Sequence, residues 1–129
     1  MATQTIQKGY GGKAQFTILA SAARTTTQTS DDYVVPYSHS LRLVINVTSI
    51  TSTPSMTVTI AGKTPLGVYF SVLVSSAITA TGTTVLKIGP GIGQVANAAA
   101  ADELPQTWRV TVTAADADSA TYSVEAEAV

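Results

Sequence analysis

Residues 41–50 read LRLVINVTSI, and their spacing decides the fold. Leu41, Leu43, Ile45 and Val47 fall on one side of an extended chain. Arg42, Asn46 and Thr48 fall on the other, with Val44 the one apolar intruder. Successive side chains of a strand point to opposite faces, so this period of two describes a strand with one face buried. A slip of one residue would turn the whole apolar set to solvent, which fixes the register.

The same period recurs on either side. In SMTVTIAG (55–62), Met56, Val58 and Ile60 oppose Thr57 and Thr59. In TWRVTVT (107–113), Trp108, Val110 and Val112 oppose Thr107, Arg109, Thr111 and Thr113. In TYSVEAE (121–127), Tyr122 and Val124 oppose Thr121, Ser123, Glu125 and Glu127. VYFSVLVS (68–75) predicts Val68, Phe70, Val72 and Val74 on the inner face. Further strands are expected over QFTILA, ARTTTQ and TTVLKI. The breaks carry turn chemistry: Pro54 in TSTPS, Gly62, Pro65 and Gly67 in GKTPLG, and Gly82 in ATGT. Strands about every ten residues, apolar on one face and hydroxyl-rich on the other, describe an all-β chain. The fold expected is a single antiparallel β-sandwich, immunoglobulin-like or jelly-roll-like. Its core should hold Trp108, Leu43, Ile45, Val58, Phe70, Val110 and Val124.

Two segments depart from the pattern. Residues 1–13, MATQTIQKGYGGK, are polar and glycine-containing, with only Ile6 and Tyr10 as sizeable apolar groups. They are expected to form a flexible arm that makes its contacts outside its own domain, leaving residues 14–129 as the sandwich. GPGIGQVANAAAADELP (89–105) is a long connection. Its alanine run predicts one or two helical turns, limited by Asp102 and Glu103 at the negative end of the helix dipole.

Composition narrows the function. The chain has 129 residues and no cysteine, the size of one domain. Disulfides, thiolate catalysis and Cys-ligated zinc are excluded. Seven basic and eight acidic residues give a net charge of −1, and the basic ones form no run. Nucleic-acid binding normally leaves a basic footprint, so no nucleic-acid partner is expected. No apolar run approaches the roughly 20 residues of a membrane span. The opening residues lack the apolar stretch of a secretory signal, so synthesis and use without export are expected. The charged fraction is 12%, about half the usual 25%. A surface of hydroxyls resists association poorly, which suits a chain that packs against others. Threonine also simply suits a pleated, half-buried surface.

Each stretch that resembles a site has a plainer reading. GPGIG matches neither G-x-G-x-x-G nor a phosphate loop and reads as a turn. His39 is the single histidine, and its neighbours Ser38 and Ser40 would point away from it in a strand. DADSAT places Asp116 and Asp118 together without the glycine or closing glutamate of a calcium loop. It reads as a hairpin tip whose side chains cap their own backbone. Asn46 begins a glycosylation sequon that lies in mid-strand. No catalytic, metal or cofactor residues are assigned.

Three segments together carry a resemblance: LRLVINVTSITSTPS, AITATGTTVLKIGPG and LPQTWRVTVTAADADS. Over roughly residues 20 to 125 the chain resembles a family of small virion proteins of tailed bacteriophages and prophages, notably those of actinobacteria. The resemblance implies a non-enzymatic structural protein, most simply a head decoration (cement) protein on the capsid surface. The partners implied are the major capsid protein, copies of the chain itself, or both. Ile6, Tyr10, Tyr37, Ile92 and Val95 are the candidate contacts. The alternatives are another minor capsid or tail component, or an adhesin-like module binding a host-surface glycan through clustered tyrosines.

Overall fold

The alternating segments become strands of two sheets. A computed structural model describes residues 2–129. The strands are β1 (Thr3–Thr5), β2 (Ala14–Arg24), β3 (Gln28–Thr29), β4 (Asp32–Val34), β5 (Leu41–Ile50), β6 (Met56–Lys63), β7 (Tyr69–Val74), β8 (Gly82–Ile88), β9 (Ala99–Ala100), β10 (Trp108–Ala114) and β11 (Ala120–Ala128). One sheet has the order β1-β4-β10-β6-β7, with β3 also on β10; the other has the order β2-β11-β5-β8-β9. All pairings are antiparallel except β1 with β4 and β8 with β9, which are parallel. The chain is a single-domain β-sandwich.

The apolar faces meet as the periodicity requires. Leu43, Ile45, Val58, Ile60, Leu86, Trp108, Val110 and Val124 are fully buried between the sheets. Each such side chain contributes about 1.5–3 kcal/mol by leaving water. Trp108 is the largest. Tyr33 lies 5.3 Å from its ring and Phe16 6.2 Å, both tilted, so the three aromatics form one cluster bridging the sheets.

Phe70 corrects the expectation for β7. A bulge places Ile60 opposite Leu73 but Ala61 opposite Ser71, so Val72 is an extra residue. The bulge reverses the phase: Leu73 is buried, while Val74 turns outward. Phe70, opposite Gly62, keeps the inner phase but lies at the rim and is 44% exposed. Its ring occupies the space that a side chain at Gly62 would take. A Cβ there would lie 2.5 Å from Phe70 Cζ and 2.6 Å from Pro105 Cγ. Val68 precedes the strand and is exposed.

Two further expectations change. The alanine run makes no helix; Ala99–Ala100 pair with Lys87–Ile88 as a short parallel edge strand. Asn97, in the left-handed region at φ 61°, turns the chain, and Lys87 and Gly89 N–H then donate to the carbonyls of Ala98 and Ala100. The amino-terminal segment is not wholly an arm. Thr3–Thr5 pair with Asp32–Val34, Ile6 N–H donates to Val34 O, and Ile6 packs partly buried on the core. The open edge of β4 supplies backbone partners that outweigh the cost of ordering these few residues.

Two buried serines show how the first sheet ends its strands. Ser30 Oγ accepts from Val110 N–H at 2.9 Å, and Ser75 Oγ accepts from Val58 N–H at 2.9 Å. In each case a side-chain oxygen stands in for a main-chain carbonyl where the chain turns away. This leaves no buried donor unpaired there.

Strand direction gives the sandwich two different ends. Loops 6–13, 35–40, 64–68 and 89–107 emerge at the end marked by the pairs Trp108–Gly62, Lys63–Tyr69 and Leu41–Ile88. Loops 25–27, 51–55, 75–81 and 115–119 emerge at the end marked by Ala114–Met56 and Ala120–Ile50.

A candidate binding end

The two ends carry different chemistry. Large apolar side chains left exposed are Tyr10, Tyr37, Leu66, Val68, Phe70, Val129, Val74, Val85 and Val95. The first six all lie at the Trp108 end and the other three on the flanks; among the described residues none lies at the opposite end. The opposite end exposes Thr25, Thr26, Thr51, Ser52, Thr53, Asp116 and Thr81. Isolated exposed apolar residues need no explanation, but their concentration at one end makes it the candidate interaction surface.

Leu66 is held out on a rigid tip. The hairpin between β6 and β7 closes with Thr64 N–H donating to Val68 O at 2.8 Å and Val68 N–H donating to Thr64 Oγ1 at 3.0 Å. Gly67 takes φ 86°, which a side chain would oppose. Leu66 is 93% exposed at the turn.

The root of this hairpin is braced from the outer face of the sheet. Between Thr29, opposite Thr111, and Tyr33, opposite Trp108, the chain carries one extra residue, and the fully buried Asp32 carboxylate lies under Lys63 and Tyr69, the last pair of the hairpin. Lys63 Nζ donates to Asp32 Oδ2 at 3.0 Å, and Tyr69 Oη lies 2.8 Å from both carboxylate oxygens. The Arg109 guanidinium stacks on the Tyr69 ring at 3.5 Å. Burial pushes the Asp32 pKa up, but the Tyr69 and Lys63 hydrogen bonds and the charges of Lys63 and Arg109 outweigh it, and the net shift is downward. The Lys63 pKa moves up, chiefly through its hydrogen bond to Asp32. The pair is thus held as carboxylate and ammonium. Neither member is poised as a proton donor or nucleophile, and the arrangement acts as a strut.

Tyr37 is displayed at a cost. Val35, Pro36, Tyr37 and Ser38 make a turn closed by Ser38 N–H to Val35 O at 3.3 Å. Pro36 fits the second position, and Tyr37 takes φ 60° at the third, which in a type II turn favours glycine. A non-glycine residue there costs about 1–2 kcal/mol. The turn is nonetheless pinned: His39 and Ser40 N–H donate to Val129 O, Leu104 N–H donates to His39 O, and Lys8 Nζ donates to Tyr37 O. The ring is 90% exposed. Beside it lies a cleft of about 520 Å³ with Val35 and Leu104 at its base and His39, Glu103 and Gln106 along its rim.

The other sequence candidates separate in space. Tyr10 is fully exposed at the same end, on a single tight turn at Tyr10–Gly12. Ile92 is half-buried in a pocket of about 150 Å³ with Leu41, Ile88 and Val129. Val95 is exposed on the flank, and Ile6 is engaged with the chain's own core. Leu66, Val68 and Phe70 are absent from the sequence assignment. A leucine inside the turn sequence TPLG, where burial is unavailable, was the signal for them. At the far end the aspartates do cap a turn: Asp118 N–H donates to Asp116 Oδ1 at 3.1 Å, and Asp118 Oδ2 accepts from Thr53 N–H at 3.2 Å. His39 is exposed, on the rim of the same cleft as Glu103.

No family model matches the sequence, and no curated protein matches it. Three chains of solved structures do. Among them is the SPBc2 prophage-derived protein YomS, with a TM-score of 0.53 and 14% identity, covering 90% of this chain and 91% of that one. The chain shares its fold with a prophage-derived protein. At this identity the likeness is one of architecture, and it spans both sheets rather than a fragment.

Proposed function

We propose that this chain is a non-enzymatic structural protein of a tailed-phage virion, a decoration protein seated on the outer surface of the major capsid lattice. The observation that carries the reading is the inequality of the ends. The Trp108 end bears the exposed apolar groups on braced loops and faces the lattice; the hydroxyl-rich end faces solvent. Low charge favours this use, because few charges lose water on docking. Many modest contacts repeated over a symmetric shell hold by avidity rather than by one tight site. The fold shared with a prophage-derived protein fits a phage origin. The test is the copy number of this chain in purified virions relative to the major capsid protein. A fixed ratio set by lattice symmetry is expected; a few copies per particle would move the protein to the tail, and absence would end the reading.

The cleft beside Tyr37 favours one second reading, a saccharide-binding module on the particle surface. Its size suits a small ligand, and Glu103, Gln106 and His39 offer both donors and acceptors. A glycan array probed with the purified protein separates the two.

A further inference from the structure

One of the exposed positions that carry backbone strain holds an aromatic residue. Among the described residues three non-glycine ones have positive φ: Tyr37, Ser52 and Asn97. Asparagine tolerates that region, and serine is small and commonly found in turns. Tyrosine has neither excuse, and its ring makes no packing that would repay the strain, being 90% exposed. Strain that is kept where surrounding structure over-determines it points to function.

The loops around it have a matching composition. Gly9, Tyr10, Gly11 and Gly12 lie in one loop, and Tyr37, Ser38 and Ser40 in the next, joined by Lys8 Nζ on Tyr37 O. The Ser38 hydroxyl is buried and Ser40 packs against Gly89, so the exposed tyrosines, set beside glycine, carry the chemistry of a protein-recognition surface at this end. The ring gives large contact area while ordering only two side-chain torsions. Tyrosine is also among the residues that dominate binding energy at interface centres. Leu66, Val68 and Phe70, exposed at the same end of the sandwich, add apolar area beyond what a small polar ligand needs.

Resting on the capsid reading above, we propose that Tyr37 is the anchor of lattice attachment. Its ring enters an apolar recess on the outer capsid surface, with the phenol hydroxyl paired to a polar group there. The turn holds the ring in its bound position before contact, so little freedom is lost on docking.

The experiment adds purified protein to particles lacking it and measures occupancy against concentration, with melting temperature measured on the same samples. The variants are Tyr37→Gly, Tyr37→Asn and Tyr37→Phe. For the Gly and Asn variants the melting temperature should stay the same or rise, because both residues accept the backbone. Their half-saturating concentration should rise tenfold or more, with Phe intermediate. Undiminished binding by the Gly and Asn variants overturns the anchor while leaving the capsid reading intact. Failure of the wild-type protein to bind any particle overturns the capsid reading and the anchor with it. A clear fall in melting temperature for both Gly and Asn assigns the ring to the fold and also overturns the anchor. So does a glycan-array signal abolished by Tyr37→Gly while lattice occupancy is unchanged.

Discussion

Trp108 and Asp32 show the two ways in which single residues hold this molecule. Trp108 is wholly buried between sheets, yet its indole N–H meets no acceptor among the described residues. Its contribution is therefore packing. Trp108→Ala should cost about 3–5 kcal/mol in urea unfolding. Trp108→Phe should cost clearly less, since no hydrogen bond is lost with the indole. Asp32 is the opposite case, a buried charge whose oxygens are all engaged. Asp32→Asn should destabilise by about 2 kcal/mol, because the amide nitrogen would face Lys63 without a lone pair to offer. The pH dependence follows from the depressed pKa. The stabilisation is complete above the unfolded value of about 3.9 and is lost as pH falls below it through the folded value. Lys63, with its pKa raised, contributes fully below its ordinary value and loses that contribution as pH rises through the higher folded value. Melting curves of Asp32→Asn and the wild type should therefore converge below about pH 4. Curves that stay parallel into acid would contradict the assigned role.

Among the elements, the hairpin of β6 and β7 is where sequence reading reached its limit. The period of two located β5, β6, β10 and β11 because each has one face buried without interruption. In β7 a single extra residue, Val72, reverses the phase, and no local signal in VYFSVLVS marks it. Phe70 stays at the rim because Gly62 leaves it room there. Gly62→Ala should accordingly cost about 1–3 kcal/mol through overpacking, measurable as a lower denaturation midpoint. The Asp32 strut was illegible for another reason: its members come from β4, β6, β7 and β10, and only the register brings them together. Tyr10 and Tyr37 were legible as loop aromatics, but the strain at Tyr37 is a property of the folded turn. The amino-terminal segment also reads differently once β4 is seen to have an open edge. Deleting residues 1–8 should lower the melting temperature modestly by removing β1 and Ile6, leaving the two sheets intact by circular dichroism.

At the scale of the whole molecule, the sandwich joins an apolar, braced loop end to a hydroxyl-coated one, with few charges between. Composition announced the low charge, but not its consequence, because the sequence alone does not say which loops share an end. That follows from the connections between sheets, which place loops 6–13, 35–40 and 64–68 together. The long edge strand β2 is irregular. Eleven residues from Ala14 to Arg24 span the nine of β11, and the register shifts twice. Such bulges disfavour edge-to-edge pairing, which fits the proposed attachment through the loops. Hydroxyl-radical footprinting of intact virions, compared with the free protein, tests this polarity most directly. Protection of Tyr10, Tyr37 and Leu66 in the particle, with the 114–119 turn labelled equally in both states, is expected. Equal labelling of Tyr37 and Leu66 in both states, with protection confined to the threonine-rich end, would contradict it.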